Sequence, residues 1–228
     1  MKISALTELA ICLVIAGSFC ELSRCEVPQE KDMKNDILSK EVTSFILVTA
    51  SLRDTVKSLR QNGLRVCFEE AKDGDREKNI SVEFHKLSVK CLLDELSGRF
   101  PDYNWKKEQG GGSLIVIQPK SGSILKWNMP SLRVKNRTLM DILVKEDMLD
   151  LKKHGIVVFY RGFAQPLNTL INVELSDQPA SVCLNALVSQ CPKLCWTIFT
   201  NPQGKNILTL HFAKDENEQS LPDGEKVK

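Results

Sequence analysis

The residues of this sequence best suited to chemistry are cysteines near its C-terminal end. Cys191 and Cys195 are separated by three residues, and Cys183 precedes them by about two helical turns. Thiolates act as nucleophiles and as zinc ligands, so a thiol-active or metal-binding enzyme centred on these three residues is one hypothesis. A redox pair, however, usually has two intervening residues and lies at a helix N-terminus. Because Pro192 ends a helix, the spacing favours a disulfide between Cys191 and Cys195, or buried thiols.

Other candidate groups offer less. Cys67 and Cys91 are a second candidate disulfide, with two buried free thiols as the alternative. No histidine lies at a metal-ligand spacing from another histidine, cysteine or carboxylate; the three are His85, His154 and His211. The glycines of residues 110–112 indicate a turn between strands, because a phosphate loop would open a helix. We therefore predict no enzyme, no catalytic residue, no cofactor and no metal site.

Composition excludes one class of partner. The formal net charge of the chain is +2, and its Lys and Arg residues are interleaved with Asp and Glu. Proteins that bind nucleic acid usually carry a basic stripe, because phosphate contacts supply most of their affinity. We interpret the basic helix face of Arg53, Lys57 and Arg60 as solvated. No nucleic-acid partner is expected.

The N-terminus has the pattern of a secretory signal. Lys2 precedes a short apolar run over residues 9–17, and small residues follow at the expected cleavage point. We predict a signal peptide over residues 1–19, hence a periplasmic or extracellular protein, with lipid attachment at Cys20 as an alternative. The apolar run is too short for a membrane span, which takes about 20 residues. Six cysteines follow Cys20, an even number that suits an oxidising compartment.

Internal similarity is the most informative pattern. Residues 80–105 align with residues 171–196 without a gap at an offset of 91, and seven of 26 positions are identical. Trp105 and Trp196 are one identical pair, which makes both core anchors before they are ligand-binding residues. Upstream, Gly63 and Gly155 occupy matching positions as helix stops. The alternative of a glycan or small-molecule binder that uses Trp105, Trp127 or Trp196 therefore ranks last.

Each copy has the same predicted order of elements. A capped helix follows an extended segment and ends at the glycine; a strand, an alternating strand, an amphipathic helix and a hairpin follow. We therefore predict an α+β fold of two tandem βαββαββ units, each with two helices packed on small mixed sheets. The predicted domains are a polar linker at 20–44, a first unit at 45–118, a linker at 119–129, a second unit at 130–212 and a disordered tail at 213–228.

Particular segments connect this pattern with a known family. Residues 60–66 end a helix in glycine before a strand, and residues 171–179 lead from a strand into a helix. With the strand at 194–198 they resemble the secretin/TonB short N-terminal (STN-like) domain, over about residues 45–118 and 130–212. The resemblance implies two helices between small sheets, a bacterial envelope location and docking onto protein partners. It predicts an exported, non-enzymatic interaction or scaffold protein that binds a partner through a strand edge or groove.

Overall fold

The structure, a computed structural model, describes residues 36–71, 78–108, 113–160 and 168–213. The predicted signal peptide, most of the first linker with Cys20, the glycine turn at 109–112 and residues 214–228 of the tail lie outside the described residues. Ala213, assigned to the tail by the sequence, is buried beside the last strand. Among the described residues, no helix combines the length and the apolar character needed to cross a membrane.

The described residues of the first half form five strands and two α-helices after a 3₁₀ turn. In chain order they are β1 (Glu41–Ala50), α1 (Leu52–Gln61), β2 (Val66–Glu69), β3 (Ile80–Ser88), α2 (Val89–Arg99), β4 (Tyr103–Lys107) and β5 (Ile115–Pro119). Strand β1 starts within the predicted linker 20–44. Its first residues are mostly polar and exposed, so no apolar alternation marks them in the sequence.

The second half begins inside the predicted linker 119–129. Its elements are β6 (Asn128–Thr138), a π-helix (Asp141–Lys145), β7 (Ile156–Tyr160), β8 (Leu170–Pro179), α3 (Ala180–Ser189), β9 (Leu194–Thr200) and β10 (Asn206–Phe212). The mixed α+β class predicted from the sequence is confirmed. The first helix of this half differs from the prediction, since a five-residue π-helix stands where an α-helix was expected.

Local chemistry explains where the first helix begins and ends. The Ser51 hydroxyl accepts from the Asp54 N–H, and the Asp54 carboxylate accepts from Ser51, which forms a capping box. The helix ends just before Gly63, whose φ of 80° lies in the left-handed region. A residue without a Cβ atom enters that region at little cost. Sequence and local structure therefore agree at both ends of α1.

The strands of the described ranges form three sheets, and one of them spans both halves. The ribbons β1–β3 and β6–β8 are antiparallel pairs, while a six-stranded mixed sheet has the order β4-β5-β2-β9-β10-β7. The halves meet where β2 pairs with β9 in parallel, with Phe68 opposite Thr197. The sequence predicted separate small sheets for each unit. The difference follows from β2, whose four residues are all buried and therefore need cover on both faces.

The common sheet has a hydrophobic core on each face. Val66 and Phe68 of β2 pack into a core with α1, α2 and the β1–β3 ribbon. Cys67 between them packs into the second core, with α3 and the β6–β8 ribbon. Successive strand residues point to opposite faces, so the two cores lie on opposite sides of the sheet. The helices of the first half therefore cover one face, and α3 covers the other.

A buried carboxylate holds the connection between the halves. Glu69 is 1% exposed, and one of its oxygens accepts from the Ser123 hydroxyl at 2.7 Å and from the Leu125 N–H at 2.9 Å, as well as from the Ile124 N–H. Burial raises the pKa of Glu69, and these hydrogen bonds act against that rise. The segment after β5 is thus fixed to the end of β2.

We expect Glu69→Ala to lower the free energy of unfolding by about 3 kcal/mol, because two buried N–H groups and a hydroxyl lose their acceptor. Glu69→Gln keeps an amide oxygen at the same place and should lower it by less than half as much. Urea unfolding followed by circular dichroism measures both values. Equal losses in the two variants would contradict this role of the carboxylate.

Candidate functional site

The predicted disulfide partners Cys67 and Cys91 are not brought together. Both are unbonded thiols; Cys67 is buried and Cys91 is exposed on α2. Cys67 points into the core that contains α3, whereas α2 lies on the opposite face of the sheet. The sequence places these two residues in one unit, but it does not say to which side of the sheet each of them points.

Cys183, Cys191 and Cys195 are also unbonded and buried. The Cys191 sulfur lies 4.0 Å from the Leu187 carbonyl, and the Cys195 sulfur lies 3.6 Å from the His211 carbonyl. Burial raises the pKa of Cys191 to about 11 and also raises the pKa of Cys183 and Cys195. Raised pKa values keep the thiols protonated, which disfavours nucleophilic or metal-binding chemistry. Within the described ranges, no three His, Cys, Asp or Glu side chains form a possible metal site.

The tryptophans take different positions. Trp196 is fully buried, and its indole N–H donates to the Asn185 amide oxygen at 2.9 Å. Trp105 packs against the edge of the first core and donates to the Asp94 carboxylate at 3.1 Å. Trp127 stacks on the His154 ring with 3.9 Å between centroids. Trp196 lies inside the second core and Trp127 packs against it, whereas Trp105 packs against the first core on the other face of the sheet, so the three rings do not share one surface.

The basic face of α1 has a more specific role than the solvated face that the sequence indicated. Arg60 is 8% exposed and donates to the Val66 carbonyl at 2.7 Å and to the Trp196 carbonyl at 2.8 Å. The solvated interpretation is therefore wrong for Arg60. Its partner Trp196 lies 136 residues away in the sequence, and a local sequence pattern gives no information on so distant a contact. Arg53 binds both oxygens of Glu70 at 2.9 and 3.0 Å.

A groove runs between α1 and the bare face of the strands beyond β2. Its volume is about 740 Å³. The Arg53 guanidinium stacks over the Phe199 ring at 4.2 Å and forms part of the wall. On the helix side the lining also includes Asp54, Lys57, Arg60 and Gln61. On the strand side it is apolar or uncharged and includes Phe159, Thr197, Ile207, Thr209, His211 and Phe212. The groove combines a mostly apolar floor with a wall of net positive charge.

Strand β7 forms one edge of the six-stranded sheet beside this groove. Within the described part of the chain it pairs only with β10. Val157, Phe159 and Tyr160 are 52%, 53% and 45% exposed. Edge strands are usually protected by charge, proline or shortness, because their free N–H and C=O groups pair with other chains. An exposed apolar edge of this kind is typical of an interaction surface.

The sequence alone did not identify this edge. Residues 156–160 form an uninterrupted apolar run, which is typical of a fully buried strand. Their exposure follows from strand order: β7 lies outermost, and no helix of the described chain covers its outer face. Strand order depends on contacts between distant residues, so periodicity carries no signal for it.

His211 links the groove to protein stability. It lies on β10, and its ring lines the groove. Burial, with a smaller contribution from the nearby Arg60 charge, lowers the pKa of His211 to about 4. A base with a lowered pKa binds fewer protons in the folded state than in the unfolded state. The contribution of His211 to the free energy of unfolding is therefore fully present above the pKa of His211 in the unfolded chain. It is lost as the pH falls through the pKa of His211 in the folded protein.

We expect the free energy of unfolding to fall by roughly 2 kcal/mol between pH 7 and pH 5 as a result of His211, from the shift between an unfolded pKa of about 6.5 and the folded value. His211→Gln should remove this part of the pH dependence. Urea unfolding at both pH values measures it, with His85→Gln as the control, since His85 is exposed on β3. An unchanged slope in His211→Gln would contradict the assignment.

Comparison with known proteins gives no relative from which a function could be transferred. The chain matches no protein-family model, no curated protein and no solved structure.

Proposed function

We propose that this chain is an exported, non-enzymatic interaction protein of the bacterial envelope, which binds a protein partner at β7 and the adjacent groove. The observation that carries the proposal is the exposed apolar edge of β7. A partner segment in extended conformation would pair its backbone with this edge and place alternate side chains in the groove. We call β7 together with the groove the open edge.

The chemistry of the open edge indicates the character of that segment. Val157 and Phe159 lie on the side of β7 that continues the groove floor, since their β10 partners Ile207 and Thr209 line it. Apolar partner side chains would remove these surfaces from water. Lys57 is exposed on the groove wall, with no ion pair to another described residue. A partner that places apolar side chains over Val157 and Phe159, and a carboxylate near Lys57, would be complementary to this surface.

We further propose that the two halves are copies of one unit of the STN-like type, and hydrogen bonds at matching positions support this. Trp105 donates to Asp94 and Trp196 donates to Asn185, with both members of the pair shifted by 91 residues. The Ser51–Asp54 cap likewise has a counterpart in which the Thr138 hydroxyl donates to Asp141 at 2.6 Å.

Backbone features at matching positions point the same way. Positive φ angles occur at Thr49 and Asn136, and again at Lys86 and Asp177. The ribbons have register shifts at Leu47/Ala50 and at Val134/Arg137. Non-glycine residues seldom adopt positive φ angles. Their recurrence at the aligned positions favours common descent over coincidence.

The export of the protein is part of the proposal. The signal pattern of residues 1–19 motivates it, and the even number of cysteines after Cys20 suits the oxidising compartment in which a periplasmic or extracellular protein lies. Lipid attachment at Cys20 remains the alternative form of the mature N-terminus. The thiol-enzyme alternative gains no support from the buried, protonated cysteines.

Affinity capture from envelope extracts tests partner binding. We expect the wild-type protein to retain a specific partner, and Val157→Glu to reduce its recovery at least tenfold, because a buried unpaired charge would lie in the interface. Ile46→Glu is the matched control: Ile46 is 55% exposed on β1, away from the open edge, and its variant should bind normally. Equal recovery with both variants would place the binding surface elsewhere.

Mass spectrometry tests export. When the full chain is expressed in a bacterium, we expect the purified protein to lack the residues up to the predicted cleavage near position 19. Leu13→Arg should abolish processing, because a charge interrupts the apolar run. A lipid-sized mass increase on Cys20 would instead establish attachment, and an intact Met1 in wild-type protein would exclude the signal.

A further inference from the structure

We propose that the open edge is occupied by β4 of a second copy of this chain, so that molecules associate head to tail. This inference rests on the proposed function and on the proposed duplication, and names the partner. Its basis is the parallel pairing of β2 with β9, which joins the two halves inside one molecule and which we call the internal joint. We take this internal joint as the template for a contact between molecules.

The internal joint has a defined geometry. Strand β2 of the first half pairs in parallel with β9 of the second half, with Phe68 opposite Thr197 and Glu69 opposite Ile198. The Arg65 guanidinium donates to the Cys191 and Leu194 carbonyls at 3.0 Å, just beyond the C-terminal end of α3. A positive charge there also complements the helix dipole.

One side of this joint is the outer surface of the first half. Cys67, Leu114 and Val116 are 0% exposed because α3 and its neighbours cover them. The second half has the same register, since Cys67 pairs with Val116 and Phe159 pairs with Thr209. There the corresponding surface is bare, and Phe159 is 53% exposed. We call this exposed face of β7 the receiving surface: in the second half no described helix takes the place that α3 has over the first half.

The other side of the joint is the inserting surface, formed by β9 and α3. Cys195 and Asn185 are buried in it. Their counterparts at an offset of 91 are Asn104 and Asp94, which are exposed on β4 and α2 of the first half. The β4 strand forms the opposite edge of the six-stranded sheet. Each molecule therefore has a receiving surface at β7 and the corresponding inserting surface at β4, in which Lys106 and Lys107 take the positions of Thr197 and Ile198.

The two faces of the sheet agree with repetition of this joint. The cores of the two halves lie on opposite faces of the six-stranded sheet, so the second half is flipped relative to the first. If the same joint were repeated between molecules, the core of the next half would lie on the same face as the core of the first half, over Val157 and Phe159. These side chains point to that bare face. The contact joins two different surfaces, so each added molecule leaves one surface of each kind free and the assembly can grow beyond a dimer.

The joint between molecules should be weaker than the internal one. Val157 occupies the position of Arg65, so the hydrogen bonds of that guanidinium to the C-terminal end of the neighbouring helix are lost. No chain connection offsets the entropy cost of association either. Association should therefore be reversible and should increase with protein concentration.

Two variants test the proposal, each blocking one surface at an exposed residue. Phe159→Glu blocks the receiving surface, and Asn104→Arg blocks the inserting surface. Analytical ultracentrifugation should show a wild-type mass that rises with concentration beyond the dimer, whereas each variant alone stays monomeric. A one-to-one mixture of the two variants retains one intact pair of surfaces, so it should form a dimer of twice the monomer mass. Circular dichroism and thermal unfolding check that both variants fold.

Each contrary result has a clear meaning. A wild-type protein that stays monomeric at all concentrations overturns the proposal. So does a mixture of variants that stays monomeric while the wild type associates, since association would then use other surfaces. A closed dimer that Phe159→Glu abolishes and Asn104→Arg leaves intact would indicate two β7 edges pairing with each other, and would overturn it too.

The same variants separate this inference from the proposed function. A monomeric wild-type protein that still captures an envelope partner, and loses it in Phe159→Glu but keeps it in Asn104→Arg, would preserve the interaction role and eliminate the second copy. Loss of both self-association and partner capture in every arm would remove the two proposals together.

Discussion

The structure depends on the parallel pairing of β2 with β9. A strand that is buried on both faces cannot complete its hydrogen bonds or cover its side chains within one small unit. Here the first half supplies cover for Val66 and Phe68, and the second half supplies it for Cys67. Arg60 and Arg65 strengthen the joint by donating to carbonyls of the other half. Hydrogen bonds from charged groups are roughly twice as strong as neutral ones.

This joint also creates the candidate site. Among the described residues α1 extends over β9 but not over β7, so Val157 and Phe159 are exposed and the groove opens beside them. The apolar edge of β7 is thus a direct consequence of strand order. In the first half, the residue that the sequence aligns with Phe159 is the fully buried Cys67. The proposed interaction role follows from this difference in exposure between Phe159 and Cys67.

The sequence predicted local features well. The helix stop predicted at Gly155 is wrong, because the helix ends at Lys145 and Gly155, also at positive φ, closes a later turn. Gly63 does have the positive φ angle of a helix stop, and the mixed α+β class is confirmed. These features depend on a few neighbouring residues, and single-residue chemistry determines them. The early start of β1 was missed because its first residues are polar, and the π-helix was missed because spacing does not separate it from an α-helix. The remaining discrepancies arise from contacts between distant residues. Arg60 looks like a solvated helix residue until its Trp196 partner is known, and residues 156–160 look buried until β7 proves to be an edge.

The burial of β2 on both faces has a consequence for biosynthesis. When the first half leaves the ribosome, Cys67, Leu114 and Val116 have no cover, and the β2 edge has no partner until β9 has been made. Contacts across such long separations form slowly, and uncovered strands in the meantime associate with other chains. A nascent chain of this design therefore exposes this apolar surface until its C-terminal half is complete. Truncated forms ending near β5 would tend to aggregate.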